Sequence, residues 1–114
     1  MISNRIKYEK TTTVVDITWY VARNGCSRPI IQIEPTMLSG AKINYIGGKC
    51  AKFIMENNLG SGSMVKVTRL DDVIPIITEV ISGSTSGEPQ MPECSYIWND
   101  LGDEIILETL NESI

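Results

Sequence analysis

The sequence predicts an all-β domain with one short helix, arranged as a five-stranded Greek-key barrel and followed by a C-terminal hairpin or tail. Three observations point there. Residues 11–24, 29–35, 38–46, 64–69 and 73–81 are rich in Val, Ile, Thr and aromatic residues and are bounded by Gly, Pro, Asn or Asp, which is strand composition. Between the third and fourth runs, Cys50, Phe53, Ile54 and Met55 recur at helical spacing. Three strands, one helix and two strands is the order of a five-stranded Greek-key barrel.

Each element has its own boundary signals. The first strand ends at Asn24-Gly25, a pair that tolerates positive φ and favours a tight hairpin, and 29–35 returns from it. Pro35 is expected to end that strand. Gly47-Gly48 stops the third, and Asn57, Asn58 and Gly60 close a helix over 49–58. Asp71-Asp72 marks the junction of the last two barrel strands. Residues 83–93, rich in Ser and Gly, read as a flexible linker. Beyond it, 94–98 and 104–107 flank a turn-like 99–103. The layout is therefore an arm at 1–10, a barrel at 11–82, a linker at 83–93 and an acidic hairpin or tail at 94–114.

A chain of 114 residues has room for one compact domain. Its net charge of −4 conceals a division: residues 1–69 hold all ten basic residues and four acidic ones, whereas 70–114 hold ten acidic residues and none that is basic. A net +6 body can attract phosphates, and the tail repels them. Histidine is absent, which removes His-based acid–base catalysis and His-containing zinc sites. Cys26, Cys50 and Cys94 are odd in number and widely spaced, which fits neither a disulfide framework nor a Cys-x-x-Cys metal site. No apolar run approaches the ~20 residues that span a bilayer, and the first residues do not begin a signal peptide, so a cytoplasmic location is expected.

Seven stretches taken together carry a resemblance. Thr11-Thr-Thr-Val-Val-Asp-Ile-Thr-Trp-Tyr-Val-Ala-Arg-Asn-Gly25 and Arg28-Pro-Ile-Ile31 are followed by Glu34-Pro35, Leu38-Ser-Gly40, Phe53-Ile54, Gly62-Ser63 and the run from Arg69 to Pro75. In order and spacing, residues 7 to 82 resemble the oligonucleotide-binding (OB-fold) barrel of the NAD-dependent DNA ligases, with its "V-G-R-T-G…T-P-V-A…L-x-P-V-x-L-x-G" segment and later "R-A-G-D-V-I-P". The chain is too short to hold a whole ligase. It also lacks the Lys-x-Asp-Gly sequence that carries that family's nucleophile, and a lone Cys94 stands where the bacterial ligases have a four-cysteine zinc module.

The resemblance implies roles for particular residues. Arg69 would grip the phosphate backbone beside a nick, with Lys66 adding charge; unaided, a solvated strand-end arginine is the plainer reading. Val73 and Ile74 would rest against the minor groove, where the plain alternative is barrel core. Arg23 and Asn24 match the Arg-Thr of a DNA-touching hairpin tip, Asn24 being turn chemistry in any case, and Arg28 lies just across it. Lys49 and Lys52 stand where the family shows "A-T-L-H-N"; both the His and the Asn are missing here, and the two lysines also suit a solvated helix face. Lys7 could be the lysine that contacts the nucleotide α-phosphate at the end of the adenylation domain, or an exposed lysine in an arm. Gly47-Gly-Lys49 lacks the residues of a phosphate loop. Asp71-Asp72 suits a turn better than a metal pair, and no metal site is expected.

Taken whole, the resemblance implies a DNA-binding module of an NAD-dependent DNA ligase, serving repair and replication. Its Met1 start suggests the small subunit of a split enzyme, as in a virus or phage, acting then in host cytoplasm. An adenylation subunit would supply the nucleophile. NAD and Mg2+ belong to the assembled ligase, with none bound by this chain alone. Two other classes stay open. One is a stand-alone barrel for single-stranded nucleic acid, disfavoured because the aromatics number only seven and Trp19, Tyr20 and Tyr45 are expected in the core. The other is a protein-interaction adaptor that docks through its acidic tail.

Overall fold

The structure, a computed structural model, describes residues 9–38, 40–70 and 74–108. Lys7, Asp71, Asp72 and Val73 lie outside the described residues. The elements are β1 (Lys10–Val21), β2 (Ser27–Leu38), β3 (Ala41–Gly47), α1 (Ala51–Glu56), β4 (Met64–Leu70), β5 (Ile74–Ser82), β6 (Tyr96–Trp98) and β7 (Ile105–Leu107). The expected order of three strands, a helix, two strands and a hairpin is the observed one.

All strand pairs are antiparallel, in the order β5-β4-β1-β2-β7-β6, with β3 also on β2. β1 bends between two partners. Its first residues, Lys10 to Thr13, pair with β4, and after an irregularity between Val14 and Asp16 the rest pairs with β2. Bulges of this kind let one strand serve both sides of a barrel. β3 and β5 approach each other and bring the barrel round. Inside, Ile31 and Ile33, and Val65 and Val67, alternate with less buried neighbours as the period-2 pattern requires, while the irregularity in β1 lets Val14 and Ile17, three residues apart, both face inward. Ile54 of α1 and Leu59 after it, both fully buried, fill one end of this core.

Two boundaries differ from expectation for physical reasons. β2 continues through Pro35 to Leu38, because Pro35 falls in the gap between Gln32 and Thr36 where the ladder to β3 is interrupted and no backbone donor is needed. α1 is shorter than 49–58: Lys49 takes a left-handed φ of 67° and Cys50 an extended one, so the helix starts only at Ala51, and Asn57 caps its end.

The segment expected to be a flexible linker is instead strapped across the barrel end. Ser84 N donates to Asn58 O at 2.8 Å, Thr85 N to Ser61 O at 3.0 Å and Gln90 N to Leu59 O at 2.8 Å. The Trp19 indole donates to Gln90 O at 3.1 Å, Ser61 N donates to Gln90 Oε1 at 3.0 Å, and Gln90 Nε2 binds the Asp16 carboxylate. Gly62 has a φ of +94°, and a Cβ there would meet Thr85 Oγ1, so glycine permits the strap to lie this close. Composition reports that such a segment has no core of its own; it does not report that the preceding loops hold its backbone.

Past the strap, β6 and β7 form the expected small hairpin. Asn99 Oδ1 organises its turn by accepting from the N–H groups of Gly102, Asp103 and Glu104. The hairpin joins the barrel through the Ser27–Ile105 pair, and Lys52 N donates to Asp103 O at 3.0 Å.

Cysteine accessibility divides along the same lines. Cys26 is buried beneath the hairpin, and burial first, then the Glu104 carboxylate, push its thiol above the ordinary value. Cys50 and Cys94 are half-buried. Two thiols are therefore expected to react quickly with Ellman's reagent in the native protein, and Cys26 only on unfolding. Because the folded thiol holds its proton longer, its contribution to stability is intact below the unfolded thiol's pKa of ~8.5 and is lost as pH rises beyond it. Melting temperatures followed from neutral to alkaline pH should fall less steeply for Cys26→Ala than for the unsubstituted chain.

Candidate nucleic-acid interface

The candidate residues gather at the two ends of β2. That strand has twelve residues, so at ~3.3 Å per residue its ends are at most ~36 Å apart. A duplex rises 3.4 Å per base pair, so about ten base pairs could touch both.

The first end is the β1–β2 turn. Ala22 N donates to Cys26 O at 2.8 Å, Gly25 N to Ala22 O at 2.9 Å and Cys26 N to Asn24 Oδ1 at 3.1 Å, while Gly25 takes a φ of 91°. The Asn24 side chain oxygen is thus spent on the turn, and Arg23 projects from the tip, exposed. Arg28 does not simply reinforce this patch. Its Nε and Nη2 donate to the two Glu104 carboxylate oxygens at 3.0 and 3.3 Å, which ties the guanidinium to the acidic hairpin and, through the hydrogen bond first, raises its pKa further.

At the other end, Arg69 pairs with Pro75 across the β4–β5 ladder, and its Nη1 donates to Leu38 O at 3.4 Å. Leu38 is the last residue of β2 and pairs with Ala41, so this bond ties the end of β4 to the end of β2. Ile74, opposite Leu70, is 57% exposed: it is not core, and with Leu70 it lies on the other face of the β4–β5 pair from the half-buried Arg69.

The remaining cations are differently placed. Lys66 Nζ lies 3.5 Å from Glu79 across the ladder, and Lys52 Nζ lies 3.8 Å from Glu56 one helical turn on. Both pairs are solvated and weak, about 1 kcal/mol or less, so a phosphate could displace either carboxylate. Lys49 stands 4.6 Å over the Phe53 ring. Lys49 and Lys52 lie just before and on α1, near the start of β2 and the β6–β7 hairpin, and Lys66 lies on the β4–β5 ladder. The arrangement offers cations and apolar surface for binding. Among the described residues no three His, Cys, Asp or Glu side chains converge as metal ligands would.

Some exposed residues escaped the sequence reading. Tyr20 and Tyr45, expected in the core, are 45% and 57% exposed, because they pair with outward-facing Arg28 and Gln32. Only Trp19 packs against the core. Met37 and Lys42, cross-strand partners on the β2–β3 hairpin, stand outward at the Arg69 end.

A barrel of this strand order, with its helix between β3 and β4, is an OB fold. The model of the NAD-dependent DNA ligase OB-fold domain matches residues 11–89, and the chain belongs to that family. It is 34% identical over 102 residues to a DNA ligase of Acanthamoeba polyphaga mimivirus, covering 90% of this chain and 16% of that protein. To a DNA ligase of Desulfatibacillum aliphaticivorans it is 40% identical over 73 residues, 64% of this chain and 12% of the relative. A DNA ligase of Aquifex aeolicus is 29% identical over 109 residues, covering 90% and 15%. The chain thus spans about one sixth or less of the length of these curated relatives.

Proposed function

We propose that this chain grips nicked duplex DNA for an NAD-dependent DNA ligase, aligning the nick ends while an adenylation domain or subunit supplies the nucleophilic lysine. Membership of the ligase OB-fold family over residues 11–89 carries this reading, and the exposed Arg23 tip and the Arg69–Ile74 rim are what the chain brings to it. Arg69 and Arg23 hold backbone phosphates, and Ile74 rests in the minor groove. Lys66, Lys49 and Lys52 add attraction along the flank. NAD and Mg2+ serve the assembled enzyme, in repair and replication, and the partner binds them. Holding the 3′-hydroxyl and the 5′-phosphate in line removes much of the entropic barrier to joining them.

The exposed Tyr20 and Tyr45 favour a second reading, in which unpaired bases stack on the outer sheet. One experiment separates the two. Nick sealing is measured on a labelled duplex with an adenylation subunit alone and with this chain added, NAD being the only nucleotide, and binding to nicked duplex and to single strand is measured beside it. The ligase reading expects sealing that depends on this chain and a preference for nicked duplex. Sealing unchanged by the chain, together with tighter binding to single strands, would transfer the assignment to the second reading.

A further inference from the structure

The β2–β3 hairpin carries a pair of residues that the ligase pattern does not include. Met37 and Lys42 are cross-strand neighbours, so their side chains stand on the same outward face, with Met37 51% exposed and Lys42 exposed beside it. Among the described residues, no carboxylate forms an ion pair with Lys42. The next pair along the hairpin, Leu38–Ala41, includes the carbonyl that receives the Arg69 guanidinium, and Arg69 itself is opposite Pro75, next to Ile74. The starts of β3 and β5 are thereby held side by side. The result is a rim where Met37, Ile74 and Lys42 are exposed, while the half-buried Arg69 ties the strand ends together.

We infer that Met37 and Lys42 extend the DNA-contacting rim, Lys42 holding a backbone phosphate and Met37 resting, with Ile74, on the sugars of a duplex minor groove. This rests on the reading of the chain as a duplex-gripping module. The charge supports it: Lys42, with no carboxylate paired to it among the described residues, can meet a phosphate beside the exposed Met37. A minor groove is bordered by a phosphate backbone on each side, so a lysine beside an exposed apolar side chain can meet phosphate and sugar together.

The test is fluorescence anisotropy on a fluorescein-labelled nicked duplex over a range of salt, with the unsubstituted chain, Lys42→Gln, Met37→Ser and Arg23→Gln, folding being checked by thermal melting. Lys42→Gln should weaken binding about 3- to 10-fold at low salt and flatten the plot of log K against log salt by about one phosphate's worth, ~0.9. Met37→Ser should weaken binding about 2- to 5-fold with the slope unchanged, since no counterion release is lost. If Arg23→Gln weakens binding while both hairpin variants bind like the unsubstituted chain, the inference is overturned and the duplex-gripping reading stands. Absence of duplex binding by the unsubstituted chain would overturn both.

Discussion

Replacing Arg69 by alanine should reduce duplex affinity, and with it nick sealing that depends on this chain, by about 10- to 100-fold, the equivalent of a charged hydrogen bond to phosphate at ~1.5–3 kcal/mol. Two physical effects meet in this side chain, and they can be separated. One is the proposed phosphate contact; the other is a role within the fold that includes the bond from Nη1 to Leu38 O, which ties the end of β4 to the end of β2. At 3.4 Å and half-buried, that bond stabilises by about 1 kcal/mol, so Arg69→Ala should melt only a few degrees lower and remain folded at working temperature. Arg69→Lys keeps the charge but loses the planar fork, so it should recover the salt dependence of binding without full affinity. A variant that melts normally yet seals nicks at the original rate would remove Arg69 from the interface. Equal losses in Arg69→Ala and Arg69→Lys, with no change in salt slope, would assign the arginine to its role within the fold, the bond with Leu38 among its contacts.

The fold was legible because the barrel is built from short-range signals. Asn24-Gly25 marks the first turn, Gly47-Gly48 the end of β3, and Phe53-Ile54 the helix, and each signal is chemistry carried by adjacent residues. Placement of the site was only partly legible, because it depends on which side chains meet across the barrel. No local pattern pairs Arg28 with Glu104, which are far apart in the chain, and the basic body is partly neutralised by Glu79 and Glu104 of the acidic part and by its own Glu56. Tyr20 and Tyr45 were misplaced for a related reason: an aromatic residue on a strand has two faces to choose from, and register, which no short stretch reveals, puts these beside Arg28 and Gln32 on the outside. Met37 and Lys42 were passed over because their interest comes only from Arg69 reaching Leu38 between them.

Gln90 provides the sharpest test of where this domain ends. Ser and Gly composition drew the boundary at residue 82, yet the family match continues to residue 89 and the strap reaches its anchor one residue later. The Gln90 side chain donates to the Asp16 carboxylate and accepts from Ser61 N, while its backbone bonds with Leu59 and with the Trp19 indole. Gln90→Ala removes the first two bonds and leaves a half-buried carboxylate with Ile17 N as its remaining recorded donor. One bond to a charged group and one to a backbone amide together imply a loss of about 2–3 kcal/mol, or a melting temperature lower by roughly 10 °C in a domain of this size. Trp19 reports the mechanism directly, because release of the strap exposes its indole and shifts its emission to the red, which Trp98→Phe makes readable without interference. Gln90→Glu should be worse than alanine at neutral pH, since two carboxylates then face each other, and should regain stability as acid protonates one of them. If Gln90→Ala is within about 0.5 kcal/mol of the original in stability, a difference ordinary for surface substitutions, the Gln90 side chain does not anchor the strap, and only its backbone bonds to Leu59 and the Trp19 indole remain to hold it.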